Sequence, residues 1–199
     1  MSYTSTLLFQ VCRIPVLAAV MTILGLYGAA SASASGNPYS LEVSKSSQQL
    51  IVKDGDQIIK RYRIAIGRGG NGTKRQRGDK ITPVGTYKIL EFKPNSRFHF
   101  FMLINYPNQV DAWHGYVNNR INASEFKDII VANRNSQVPP QNTGLGGYIG
   151  LHGIGEINEN KLSIHNRENW TEGCIALTNE EISELREYVS IGTTIKIME

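Results

Sequence analysis

From Tyr39 to Ile66 the chain alternates apolar and polar side chains with the period of two expected of half-buried strands. Leu41 and Val43 open the pattern, Leu50–Val52 follow, and Ile58, Ile59, Tyr62, Ile64 and Ile66 continue it. Asp54-Gly55 falls between the second and third runs, where an Asp-Gly pair supplies the positive φ of a tight hairpin. The domain therefore begins as a β-meander. Ile81–Ile89 reads as a strand entered through a Pro-Gly turn, Phe98–Ile104 as another ended by Tyr106-Pro107-Asn108, and Thr193–Met198 as a closing strand. Two helices are expected. Asn122-Ala123-Ser124-Glu125 has capping-box spacing before Phe126, Ile129 and Ile130. Thr178-Asn179-Glu180-Glu181 has it before Ile182, Leu185 and Val189, with Gly192 as the stop. The fold class is mainly β, a sandwich or barrel with two short helices. With 199 residues, 41% of them hydrophobic, the chain suits one globular domain.

That domain starts near residue 39. Before it, Arg13 is the only charge, Ile14–Ala30 is an apolar run, and Ser31–Ser35 alternates Ser and Ala as a signal peptidase accepts. Residues 1–34 read as a signal peptide, with cleavage after Ala32 or Ala34. The alternative is an uncleaved anchor, because 17 uncharged residues lie at the short end of the roughly 17–25 that span a bilayer. Either way the domain is exported, to the periplasm or cell envelope, and cleavage leaves no stable membrane insertion. The net charge of +4 is mild, and no basic block interleaved with aromatics marks a nucleic-acid site. Lys74-Arg75-Gln76-Arg77 with Lys80 lies in a glycine-rich stretch and reads as a solvated loop. Gly69-Gly70-Asn71-Gly72 lacks the Lys-Ser/Thr ending of a phosphate cradle.

The chemistry concentrates in Tyr148–Asn179. Its apolar opening ends on His152-Gly153, and Thr171-Glu172-Gly173-Cys174 precedes the apolar Ile175-Ala176-Leu177. Of the two cysteines, Cys12 leaves with the targeting segment. Cys174 is then a lone thiol in an oxidising compartment, where structural cysteines come in pairs. An imidazole that takes its proton makes a thiolate nucleophile. His152 is the first candidate base and His165 the second; His99 and His114 are explained by packing among aromatics. The N–H of Cys174, with a neighbour such as Gly173, would serve as an oxyanion hole.

These residues carry a family likeness. From Tyr39 onward the chain resembles the L,D-transpeptidase catalytic domain (YkuD-like or ErfK-like). The resemblance lies in the opening meander, Gly67-Arg68-Gly69-Gly70, Thr82-Pro83-Val84-Gly85-Thr86-Tyr87, and above all His152-Gly153 with Thr171-Glu172-Gly173-Cys174-Ile175. Glu172 stands where many members have His and Ala176 where many have Arg or Asn, and the span between His152 and Cys174 is longer than usual. A branch with a Trp-Thr-x-Gly-Cys-Ile-Ala signature is closer. The resemblance implies acyl transfer through a thioester on Cys174, with His152 as base and the Gly153 carbonyl orienting its ring. It also implies a peptidoglycan stem peptide as partner and no metal or organic cofactor. Thr171 and Gly173 are candidates to contact that substrate. His165, if not the base, either lines the cleft or is solvated. Trp170 either stacks on the stem or packs in the core, the usual place of a lone Trp. With water as acceptor the same site is a carboxypeptidase. Two other classes stay open: a zinc hydrolase on His152, His165 and Cys174, and a wall-binding module without turnover.

Overall fold

The computed structural model describes Met1 and residues 37–199; the expected signal peptide, with Cys12, lies outside the described residues. Eight strands form one continuous ladder. They are β1 (Tyr39–Ser44), β2 (Gln49–Asp54), β3 (Gln57–Arg63), β4 (Gly85–Ser96), β5 (His99–Ile104), β6 (Gly150–His152), β7 (Ile175–Ala176) and β8 (Thr194–Met198). Their spatial order is β3-β2-β1-β8-β4-β5-β6-β7. The β1–β8 and β6–β7 pairs are parallel and the others antiparallel. The expected meander is present, with Gly55 at φ 55 in its hairpin.

β4 is the hinge of the architecture. Its first residues pair with β8, and from Ile89 onward it pairs with β5, through two bulges. Bulges bend a strand and increase its twist, so β4 carries the ladder from one half of the sheet into the other. The two ends of the ladder then meet. Beyond β3, Ala65 exchanges two backbone hydrogen bonds with Ala176 of β7, at 3.0 and 2.8 Å. That seam closes the sheet into a barrel-like sandwich around Leu41, Leu50, Ile64, Ile89, Met102, Leu151 and Ile195. The mainly β reading holds.

Among the described residues four helices decorate it: α1 (Gln109–Val117), α2 (Ala123–Arg134), α3 (Glu159–Arg167) and α4 (Asn179–Leu185). α2 and α4 are the expected pair, each begun by a complete capping box on Asn122 and Thr178. α4 stops at Leu185, well before Gly192, which instead turns the chain into β8 at φ 92. α1 packs on α2 through a small second core of Ala112, Ile121, Ile129 and Leu145. Among the described residues no helix is long and apolar enough to cross a membrane.

Two corrections concern single residues. Ile58 is 44% exposed, because β3 is the ladder's first strand and a bulge at Val52/Lys53 shifts its register. Lys74 is not solvated: its side chain is 3% exposed and paired with Asp79, itself 10% exposed. Asp79 organises its loop by accepting from Lys74 Nζ at 2.7 Å and from the N–H groups of Arg75, Gln76 and Ile81 at 2.7–3.2 Å. Burial alone would raise its carboxyl pKa. The ammonium and the three N–H donors outweigh burial and hold it below 3.8. This contribution is therefore complete above about pH 4 and is lost as pH falls through the depressed folded value. Asp79→Asn leaves a buried, unpaired ammonium, and urea unfolding at pH 7 should show a loss of roughly 3–5 kcal/mol. A loss below about 1 kcal/mol would mean that the loop is held by other contacts.

Candidate active site

The β6–β7 ladder sets His152 opposite Ala176 and Leu151 opposite Ile175. Side chains alternate across a sheet, so Leu151 and Ile175, both fully buried, face the core. Continued one residue upstream, the alternation puts Cys174 on the same side as His152, on the neighbouring strand. Such diagonal neighbours lie about 7–8 Å apart at Cα, within reach of an aromatic side chain. This register sets the thiol and the first candidate base on one face of adjoining segments.

Each side chain is held independently. Nδ1 of His152 lies 2.7 Å from the Gly153 carbonyl, so in the neutral ring Nδ1–H donates and Nε2 carries the open lone pair. Phe98 stacks on the ring at 4.2 Å, Phe101 lies at 6.1 Å across the β5–β6 pair, and Trp170 meets it edge-on at 5.7 Å. Gly153 has no room for a Cβ, which would fall 2.6 Å from Asn179 Oδ1 and 2.7 Å from the Phe98 carbonyl. Asn179, first residue of α4, also accepts from Gly155 N–H and donates to Gly155 O. The turn that orients the imidazole is thus clamped by a helix start. Sequence reasoning missed Asn179 and Phe98, since neither lies within a chemical motif.

Cys174 is half-buried, and its Sγ–H donates to the Tyr148 carbonyl at 3.4 Å. Tyr148 is itself held at φ 56, with its N–H on Gln141 Oε1, which aims that carbonyl at the sulfur. Burial pushes the thiol pKa up to about 11, against the opposing pull of the Gly150 N–H and of Lys74 and Arg97. Burial likewise pushes His152 down to about 4, against the Gly153 hydrogen bond that favours its charged form. Both groups are therefore neutral at pH 7.

The turn before Cys174 explains the remaining motif residues. Thr171 is buried, and its hydroxyl donates to the Cys174 carbonyl at 2.7 Å while accepting from Gly173 N–H at 3.1 Å. Both sides of that hydroxyl serve the turn. Gly173 sits at φ 127, where a side chain is strained, and its Cβ would meet the Ile81 carbonyl at 3.0 Å. With Gly173 N–H spent on Thr171, the Cys174 N–H is left as the free donor beside the sulfur, without a partner among the described residues. Glu172 points outward, 63% exposed, paired with Arg68 and Lys80.

His165 lies on α3, buried, with Nδ1 accepting from Trp170 Nε1 at 3.4 Å. Burial lowers its pKa too. Trp170 therefore touches both imidazoles. It also lines, with Arg97, Phe98, Ile154, Lys161 and Ile164, a cleft of about 420 Å³, so it belongs to the site's wall rather than to the core. His99 is exposed and bonded to Ser183, which corrects the expectation that aromatic packing explains it. Among the described residues no three His, Cys, Asp or Glu side chains converge as metal ligands would. His152, His165 and Cys174 accordingly do not form the three-ligand set that the sequence left open.

The family model of the L,D-transpeptidase catalytic domain, YkuD, matches residues 38–197. The Escherichia coli (strain K12) protein named "Putative L,D-transpeptidase YafK" is 27% identical over 161 residues, covering 78% of this chain and 48% of that protein. The chain thus spans about half the length of that curated relative. Among solved structures, the helical cell shape determining protein Pgp2 from Campylobacter jejuni superposes with a TM-score of 0.53 at 22% identity, covering 83% of this chain and 49% of that one. Its K307A mutant gives the same TM-score at 21% identity. At such identity the likeness is one of fold. With a family match over nearly the whole described region, this chain belongs to the L,D-transpeptidase catalytic-domain family.

Proposed function

We propose that the chain is an exported cysteine L,D-transpeptidase of the cell envelope. It would transfer the acyl group of a peptidoglycan stem tetrapeptide through a thioester on Cys174. The observation that carries this reading is the paired arrangement on β6 and β7. A thiol lies on the same face as an imidazole whose Nδ1 is tied to Gly153 O, so that Nε2 is free to accept a proton. Export rests on Arg13, the apolar run and the Ser/Ala tail before the domain.

In the first half-reaction Sγ adds to the carbonyl of the third stem residue as its proton passes to His152 Nε2. The Cys174 N–H donates to the developing oxyanion. Collapse of the tetrahedral intermediate breaks the C–N bond, and His152 returns the proton to the departing amine of the terminal D-amino acid. In the second half-reaction an acceptor amine attacks the thioester, forms the new amide and restores the thiol, its proton travelling through the same imidazole. Water in that role gives hydrolysis by the same steps. Thr171, Gly173 and Asn179 act as positioning residues, and Trp170 lines the substrate cleft. His165 supports Trp170.

Two measurements test this assignment. Purified chain incubated with a stem tetrapeptide should gain the mass of the tripeptidyl acyl group on Cys174, and Cys174→Ala should not. His152→Gln should slow that acylation about 10²–10⁴-fold, as for loss of a general base, whereas His165→Gln should cost less than about tenfold. The reverse order would make His165 the base. The second measurement concerns resting charge. With the thiol near 11 and the imidazole near 4, thiolate absorbance at 240 nm, taken as wild type minus Cys174→Ala, should stay flat from about pH 5 to 9. A step at the acid end of that range would instead reveal a preformed thiolate–imidazolium pair.

A further inference from the structure

On the Tyr148 side of Cys174, away from the aromatic cleft, a second cleft of about 220 Å³ opens between loop residues 74–78 and 141–149. The chemistry described above uses none of its side chains. Two cations line it. Lys74 is buried, and its Nζ donates to Asp79 Oδ1 at 2.7 Å and to Gln76 O at 2.9 Å. An ammonium has three donors; among the described residues the third meets no hydrogen-bond acceptor, and the Tyr106 ring lies 6.0 Å from Nζ. Gly146 sits at φ 79, and a Cβ there would lie 3.3 Å from Arg77 Cα, so the glycine lets the two loops approach closely.

Arg77 is fastened from behind. Its backbone N–H donates to Gly144 O at 2.8 Å and its Nε to Thr143 O at 3.2 Å. The outer end of its guanidinium has no carboxylate within ion-pair reach among the described residues. The one acid in the wall, Glu172, is engaged by Arg68 and Lys80. A small cleft whose one cation without a carboxylate partner, among the described residues, is Arg77 therefore adjoins the Tyr148 carbonyl that receives the Cys174 S–H.

We propose that this cleft is a carboxylate subsite, in which the outer end of Arg77, backed by Lys74, binds a carboxylate of the peptide whose reacting carbonyl lies at Cys174. A planar fork of N–H donors matches a carboxylate in both shape and charge. The inference rests on Cys174 being the acyl-accepting residue. A stem peptide offers two sources near the scissile bond: the terminal carboxylate of the residue released, and a carboxylate on the side chain of the residue before it. The binding chemistry is the same for either.

Isothermal titration on the Cys174→Ala full chain separates them, because it reads affinity without turnover. Three synthetic tetrapeptides are compared: the free acid, its C-terminal amide, and the peptide amidated on the third side chain. One of the two amides should bind about 10–100-fold more weakly than the acid, the size of a hydrogen bond to a charged group, and its position names the source. Arg77→Gln in the same background should bring the acid down to the level of that amide and leave the amide's own affinity unchanged. This exposed residue is chosen over Lys74, whose loss would unpair Asp79. Equal binding of all three peptides, no binding of any, or an equal loss for all three in Arg77→Gln would overturn the subsite. Wild-type acylation by the tetrapeptide without such discrimination would sink the subsite alone. Discrimination without acylation would sink the transferase reading and leave the subsite standing.

Discussion

The site depends on a seam two residues long. β7 consists of Ile175 and Ala176, too short to persist by itself. It is held because it pairs on one side with β6 and on the other with Ala65, just beyond β3. Its side chains are fully buried, so the ladder bonds lie where water cannot compete and their loss would leave unsatisfied polar groups. Closing the barrel and fixing the face on which Cys174 and His152 lie are consequently one event. A one-residue slip in β7 would turn Cys174 to the other face and bring Ile175 out of the core. The hydrophobic requirement on Ile175 and Leu177 thus guards the register that the chemistry needs.

Burial that secures the geometry also opposes the chemistry. It keeps the thiol protonated and the imidazole neutral, and each pKa unit of separation corresponds to about 1.4 kcal/mol against forming the ion pair. A resting thiolate is open to oxidation, which a protonated sulfur resists. Among the opposing terms are two fixed dipoles, the Gly153 carbonyl that favours an imidazolium and the Gly150 N–H at the sulfur. Such fixed dipoles act most strongly once a substrate has displaced water. Charge separation is therefore tied to occupation of the site.

Much of this was legible in the chain because it is local. Alternation located the meander, Asp54-Gly55 its hairpin, and two capping boxes the starts of α2 and α4, with the correct N-cap residues. His152 and Cys174 stood out because each borders an apolar run and a glycine. What was missed is either non-local or unpatterned. Nothing in Thr194–Met198 says that it slides between β1 and β4, 150 residues away in the case of β1. α1 begins with Asn108 and Asp111, an Asp-closed capping box hidden behind a Tyr-Pro-Asn turn signal. α3 has only His165 buried, so no apolar stripe announces it. Lys74 looked solvated because its partner's burial comes from the folded loop and not from the sequence around it.

The division of labour follows from what each part is made of. The thiol, the imidazole and the donor beside the sulfur sit on or immediately beside ladder strands, whose bonds tolerate little displacement. The clefts on either side are built from loops and one polar helix: residues 74–78 and 141–149 on the Tyr148 side, and residues 154–170 with Arg97 and Phe98 on the other. Loops accept insertion and substitution at small cost to the core. The span between His152 and Cys174 houses α3 and Trp170 and forms one of these walls. Glu172 and Ala176, where many relatives carry other residues, fit the same logic. Glu172 turns outward to Arg68 and Lys80. Ala176 leaves the space around His152 to Phe98, Phe101 and Trp170. Changes at these places alter the cleft walls, while the positions of Cys174 and His152 stay anchored in the seam.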